Sequence, residues 1–128
     1  MEPVAKVMAQ AMKWRPNPTP LAYNTERPLM WGLSLHFYSF AGNDWRNKGR
    51  NIGFGTDQWA SALARAHLTD ELIRRHAAIM DRYDPKKQVA IAVDEWGAWF
   101  DSEKDAPSQL YLESTLRDAV IAGMSLNI

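Results

Sequence analysis

QVAIAVDEWGAWF, residues 88–100, opens with a short apolar run from Val89 to Val93 and closes on two acids and two tryptophans. A run of that length, bounded by polar residues, suits a strand buried on both faces, as in a parallel sheet. Asp94, Glu95, Trp96 and Trp99 follow at its C-terminal end. In barrels of alternating strands and helices the reacting groups sit at the C-terminal strand ends, so an acid there reads as catalytic before it reads as structural. A carboxylate among indoles suits sugar chemistry: the rings stack on the apolar faces of a sugar, and the carboxylate attacks or stabilises an oxocarbenium-like centre.

Working outward, Leu29–Phe40 (LMWGLSLHFYSF) is a second β-prone run. Between the two runs, Trp59–Ala66 and Thr69–Tyr83 have helical spacing, as one helix or two, with Thr69 as an expected N-cap. Leu72, Ile73, His76, Ile79, Met80 and Tyr83 make its inward stripe, and Asp84-Pro85 ends it. Leu110–Gly123 reads as a further helix with Leu112, Leu116, Val120 and Ile121 inward. Met124–Ile128 looks like the opening of another strand. Near the start, Pro3–Trp14 has helical spacing at Val4, Val7, Met8, Ala11 and Met12. The proline-rich stretch from Arg15 to Pro28 reads as an extended linker. The strand–helix–strand alternation implies βαβ units and a parallel sheet, with too few strands to close one, and so a piece of a larger barrel.

Composition narrows the chemistry. The 128 residues balance 15 basic against 15 acidic side chains, so no overall charge argues for nucleic acid or an anionic membrane. No apolar run is long enough to span a bilayer. Without cysteine there is no disulfide framework and no thiolate metal site. No His/Asp/Glu spacing argues for a metal, and no cofactor is expected. Six tryptophans favour a ligand with flat apolar faces, although tryptophan also serves as core. The Gly/Asn-rich segment Ala41–Asp57 is too long for an idle connector and reads as a site loop. Its tip, Asn43, Asp44 and Trp45, is expected to be solvated. His67 reads as surface or junction, and His76 as structural.

Four ordered segments resemble the α-L-arabinofuranosidases of glycoside hydrolase family 51: GLSLHFYS at 32–39, LIRRHAAIMDRYDP at 72–85, VDEWGAWFD at 93–101 and TLRDAVIAGMSLNI at 115–128. The resemblance covers roughly residues 31–128 and, more weakly, the helix at 4–14. It implies an α/β fold, a partial (β/α)8 TIM barrel comprising about its last third, strands 6–7 and the start of strand 8. The implied organisation is a divergent helix and linker over 1–28 and barrel sequence over 29–128. The implied reaction is hydrolysis of terminal α-L-arabinofuranosyl residues of arabinoxylan- or arabinan-type glycans, with retention through a covalent glycosyl-enzyme.

By that resemblance Glu95 is the nucleophile, His36 and Tyr38 are site residues of the preceding strand, and Trp99 flanks the sugar. A tyrosine hydroxyl donating to a carboxylate stabilises its charged form, as a nucleophile at neutral pH requires. Asp94, on the other face of the strand, is expected to be a structural hydrogen-bonding partner. A retaining glycosidase needs a second carboxyl ~5–5.5 Å away as acid and base. In the family it lies in an Asn-Glu motif, and this sequence contains no Asn-Glu dipeptide. Asn24-Thr25-Glu26 is the nearest imitation, and Glu26 sits in the proline-rich stretch. The isolated chain is therefore expected to turn over little or no substrate.

The resemblance also implies an arabinose-containing oligo- or polysaccharide as partner, a homo-oligomeric parent enzyme, and a cytoplasmic setting. Two other readings stay open from the sequence. One is a non-catalytic sugar- or partner-binding remnant of such a barrel. The other is a different retaining glycosidase of the same clan, such as a β-xylosidase or endoglucanase.

Overall fold

The structure, a computed structural model, describes residues 2–13, 30–108 and 110–128. The proline-rich linker and Glu26 lie outside the described residues. The elements run α1 (Glu2–Lys13), β1 (Gly32–Ser39), α2 (Thr56–Tyr83), β2 (Ala90–Ala98) and α3 (Leu116–Leu126). β1 and β2 form a two-stranded sheet. Its register is parallel: the Ala90 N–H donates to Trp31 O at 3.0 Å, and eight residues on in the first strand the Trp99 N–H donates to Ser39 O at 2.9 Å. The expected strand–helix–strand unit is therefore present.

The chain divides into two compact units, Met1–Leu35 with Leu72–Val93, and His36–Glu71 with Asp94–Ile128. In the first, Met8 of α1, Met80 of α2 and Val89 form a buried cluster flanked by Val4, Met12, Met30, Leu33 and Ile91. Asp84 ends α2 as the sequence suggests: its N–H donates to Met80 O at 2.8 Å. Its buried carboxylate then accepts the Val89 N–H at 2.8 Å, fixing the turn into β2. His76 spends its Nδ1–H on Leu72 O at 2.7 Å, the structural role expected of it. The inward stripe is shallower than its periodicity implies, with Met80 buried and Tyr83 39% exposed.

The second unit is built around Phe40, Ala62, Ala66, Phe100 and Ile121. Ala62, Ala66 and Thr69 are buried at helical spacing on one face of α2. Thr69 is thus a small residue inside a continuous 28-residue helix, not an N-cap. No glycine or proline interrupts 56–83, and the buried small face carries the helix through the expected junction. Burial of Phe100 and Ile121 contributes about 1.5–3 kcal/mol each.

Three further expectations are corrected. Met124–Ile128 does not open a strand, because α3 runs on to Leu126. Met124 packs on the same core as Ile121, three residues earlier, which suits a helix; Ser125 Oγ and Asn127 Nδ2 donate back to Ile121 O and Gly123 O. The helix also begins later than expected, at Leu116. There the Thr115 N–H and hydroxyl both donate to Asp118 Oδ2, at 2.8 and 2.6 Å, and Leu116 is 71% exposed rather than inward. Finally, β2 does not stop at Val93, and its residues Ala90 to Val93 are half-buried rather than sealed on both faces.

Candidate active site

All the sequence-derived site residues belong to the second unit, and it brings them together. His36 and Tyr38 lie on β1, two apart, so the strand's alternation puts both on one face. Glu95 lies within β2, where Asp94 and Glu95 are consecutively exposed and break the strand's even alternation. Two residues further, Gly97 takes φ 130°, a conformation that only glycine adopts readily.

His36 Nδ1 stands 2.5 Å from Glu95 Oε2, and His36 Nε2 stands 3.4 Å from Asp94 Oδ1. One imidazole thus spans both acids. Asp94 faces the same histidine as Glu95 instead of the opposite side that strand alternation predicts. The Tyr38 hydroxyl donates to the Glu95 carboxylate. Burial, then that hydrogen bond and the negative charge of Glu95, raise the Tyr38 phenol above its ordinary value of 10.0. Tyr38 therefore stays protonated and keeps donating.

His36, Tyr38 and Glu95 line an open groove of about 650 Å³ with Trp99, Trp45, Phe40, Asn43, Asp44 and Arg65. Tyr38 meets Trp99 edge-on at 5.0 Å between ring centroids, and Trp99 meets Trp45 edge-on at 4.9 Å. The result is a continuous aromatic wall beside the carboxylate. Arg65 of α2 supports it from behind: its guanidinium lies 3.6 Å from the Phe40 ring centroid and donates from Nε to Tyr38 O at 3.3 Å.

Trp45, which the sequence places at a solvated loop tip, is indeed 51% exposed there, and it also lines the groove. Its loop folds back on itself: the N–H groups of Ala41 and Gly42 both donate to Lys48 O at 2.9 Å. A Cβ at Gly42 would fall 1.8 Å from Asn47 O, so this closure needs glycine. Asp44 Oδ1 accepts from the N–H groups of Arg46 and Asn47 at 2.7 and 3.1 Å, tightening the turn that presents Trp45. Elsewhere in this unit, Trp59 stacks on Phe54 at 6.1 Å between ring centroids.

Arg117 is fully buried, clamped between Phe54 and Phe100 with its guanidinium carbon 3.6 and 3.3 Å from their ring centroids. It donates from Nη2 to Arg50 O and Asn51 O at 3.0 and 3.1 Å, anchoring the far end of the site loop to α3. Burial pulls its guanidinium below the ordinary arginine value, against the Asp118 charge that raises it. Among the described residues no cluster of His, Asp and Glu has the arrangement of a metal site. No described helix is long and apolar enough to cross a membrane.

No protein-family model matches the chain. An intracellular exo-α-L-arabinofuranosidase of Bacteroides ovatus is 36% identical over 118 residues, which is 91% of this chain and 22% of that protein. The crystal structure of the GH51 arabinofuranosidase from Xanthomonas axonopodis pv. citri matches with a TM-score of 0.69 and 42% identity, covering 74% of this chain and 19% of that one. The chain thus spans about a fifth of the length of these relatives.

Proposed function

Because this chain belongs to the glycoside hydrolase family 51 arabinofuranosidases, we propose that it carries the nucleophile half of a retaining α-L-arabinofuranosidase site. β1 and β2 would then be two consecutive parallel strands of the barrel, the sixth and seventh. The observation that carries the reading is the convergence of two hydrogen-bonding groups on one carboxylate in an aromatic groove. Tyr38 donates to Glu95, and His36 Nδ1 lies 2.5 Å from it.

In the proposed step a Glu95 oxygen attacks the anomeric carbon of an arabinofuranosyl unit seated on Trp99 and Trp45. The bond to the leaving oxygen breaks with its electron pair, and a glycosyl ester forms on Glu95. Tyr38 and His36 hold the attacking oxygen in line and accommodate the loss of its charge as the ester forms. Water then takes the sugar, giving its proton to the second carboxyl that had protonated the leaving oxygen, and the Glu95 carboxylate returns. The leaving oxygen needs a proton from a second carboxyl. Asp44 is poorly suited to that role, since it lines the groove already accepting two backbone N–H groups. The acid/base is therefore assigned outside this chain, in keeping with the absence of an Asn-Glu dipeptide from the sequence.

The proposed substrate is the terminal arabinofuranosyl groups of arabinoxylan- or arabinan-type glycans; that the relatives are arabinofuranosidases supports the sugar in this reading. An intracellular setting is inferred from the Bacteroides relative. The test uses the 128-residue protein with α-1,5-arabinotriose. Binding without hydrolysis is expected, because an alkoxide leaving group requires the missing acid. Sustained release of arabinose would overturn the assignment of the acid to another segment. Absence of binding would overturn the substrate class.

A further inference from the structure

One ammonium group stands against both indoles of the groove and against the two chain segments that carry them. Lys48 Nζ lies 5.7 Å from the Trp45 ring centroid and 6.0 Å from that of Trp99. It also donates to Trp45 O at 3.3 Å and pairs with Asp101 Oδ1 at 3.2 Å. The other oxygen of Asp101 accepts the N–H groups of Lys48 and Gly49, each at 3.1 Å. The Asp101 N–H in turn donates to Gly49 O at 2.9 Å. Asp101 is two residues past Trp99, and Lys48 is three past Trp45. The pair thus fastens the site loop to the exit of β2 at the point where the two rings meet.

An exposed lysine–aspartate bridge contributes little by itself. This lysine side chain is only 16% exposed, and withdrawing an ammonium from water is unfavourable unless each side of it is matched. Here one side meets a carboxylate and a carbonyl, and the other meets two ring faces. We propose that Lys48 and Asp101 are a positioning pair that holds Trp45 edge-on to Trp99 and so fixes the sugar-stacking wall. The ligand side of this proposal rests on the arabinofuranoside reading; the positioning of the indoles does not. Neither residue touches the reacting atoms.

The test separates the two. Two indoles edge-on at 4.9 Å between ring centroids couple, and their coupled near-ultraviolet circular dichroism is measured as the difference between the parent protein and Trp45→Phe. Lys48→Met, which keeps the stem and removes the charge, is expected to collapse that signal to the Trp45→Phe level while the far-ultraviolet spectrum stays unchanged. Lys48→Arg restores most of it. Asp101→Asn keeps an oxygen for the loop N–H groups and loses the ion pair, so it serves the same test should Lys48→Met unfold. Affinity for α-1,5-arabinotriose, measured by calorimetry, is expected to fall about tenfold in Lys48→Met, or about 1.4 kcal/mol. An intact coupled signal in both charge-removing variants would overturn the proposal. If the parent protein fails to bind arabinotriose, the substrate reading falls, and the spectra still decide the positioning pair.

Discussion

Glu95 Oε2 and His36 Nδ1 face each other at 2.5 Å across the two parallel strands, and the same imidazole reaches Asp94 Oδ1 at 3.4 Å from its other nitrogen. Two adjacent acids are thus tied to one side chain. In the proposed reading, the histidine serves to orient Glu95.

His36→Ala leaves Asp94 and Glu95 without this tether. Misplacement of a reacting atom by about 1 Å is enough to cost ~100-fold. The rate at which Glu95 is glycosylated by an activated arabinofuranoside is expected to fall by about that factor, with the far-ultraviolet spectrum unchanged. Stopped-flow release of the leaving phenol reads it. A rate within threefold of the parent protein would remove His36 from the site.

Tyr38 supplies a pH signature. Its folded-state value is raised above 10.0 by burial and by Glu95. The sign follows from proton linkage: the folded state holds this proton more tightly than the unfolded chain. The stability it lends is therefore fully present below pH 10 and is lost as pH rises through the folded value. Absorbance at 295 nm, taken as the difference from Tyr38→Phe, is expected to place this ionisation above pH 10. Glu95→Gln should move it down by removing the negative charge. No movement would mean that the two groups do not interact.

Arg117 holds the second unit together without touching the groove. Arg117→Ala opens a cavity between Phe54 and Phe100 and strips the donors from the Arg50 and Asn51 carbonyls. A loss of about 2–4 kcal/mol is expected from the cavity and the two hydrogen bonds together. Urea unfolding followed by tryptophan fluorescence measures it. Arg117→Met fills the space and is expected to lose less.

Gly97 tests backbone strain in isolation. Its φ of 130° is unsuited to any side chain, yet a Cβ there would meet nothing within 4 Å. Gly97→Ala therefore carries a purely conformational cost of about 1–3 kcal/mol. Relief of that strain would displace Trp99, two residues on, so the coupled indole signal should change along with the unfolding midpoint. A change in neither would show that the strand exit tolerates a side chain.

Much of this arrangement was legible in the sequence because it is local. The family resemblance singles out His36 and Tyr38, and strand alternation then puts both on one face of β1. Asp84-Pro85 ends α2 through a carboxylate that reaches five residues ahead. The misreadings arise where distant packing overrides local preference. Thr69 has the chemistry of a cap, but its place beside Ala62 and Ala66 on a buried face keeps it inside α2. MSLNI has strand-like composition, but Met124 packs on the distant core of Phe40, Ala62 and Phe100 together with Ile121, at helical spacing. Trp45 is exposed, as a loop tip should be; its contact with Trp99 was not legible because what seats the loop is Asp101, 53 residues from Lys48 in the chain. Glycines at 42 and 49 were the available signal: a loop closing that tightly presents its tip in a fixed direction.

The central claim is that Glu95 is the nucleophile, and trapping the glycosyl ester tests it most directly. The probe is 2,4-dinitrophenyl 2-deoxy-2-fluoro-α-L-arabinofuranoside, whose phenolate leaves without a proton and whose fluorine slows release of the ester. Mass spectrometry of the proteolysed protein is expected to find one fluoroarabinosyl group on the peptide containing Glu95, and none in Glu95→Gln. Labelling at another residue, or equal labelling of Glu95→Gln, would contradict the account.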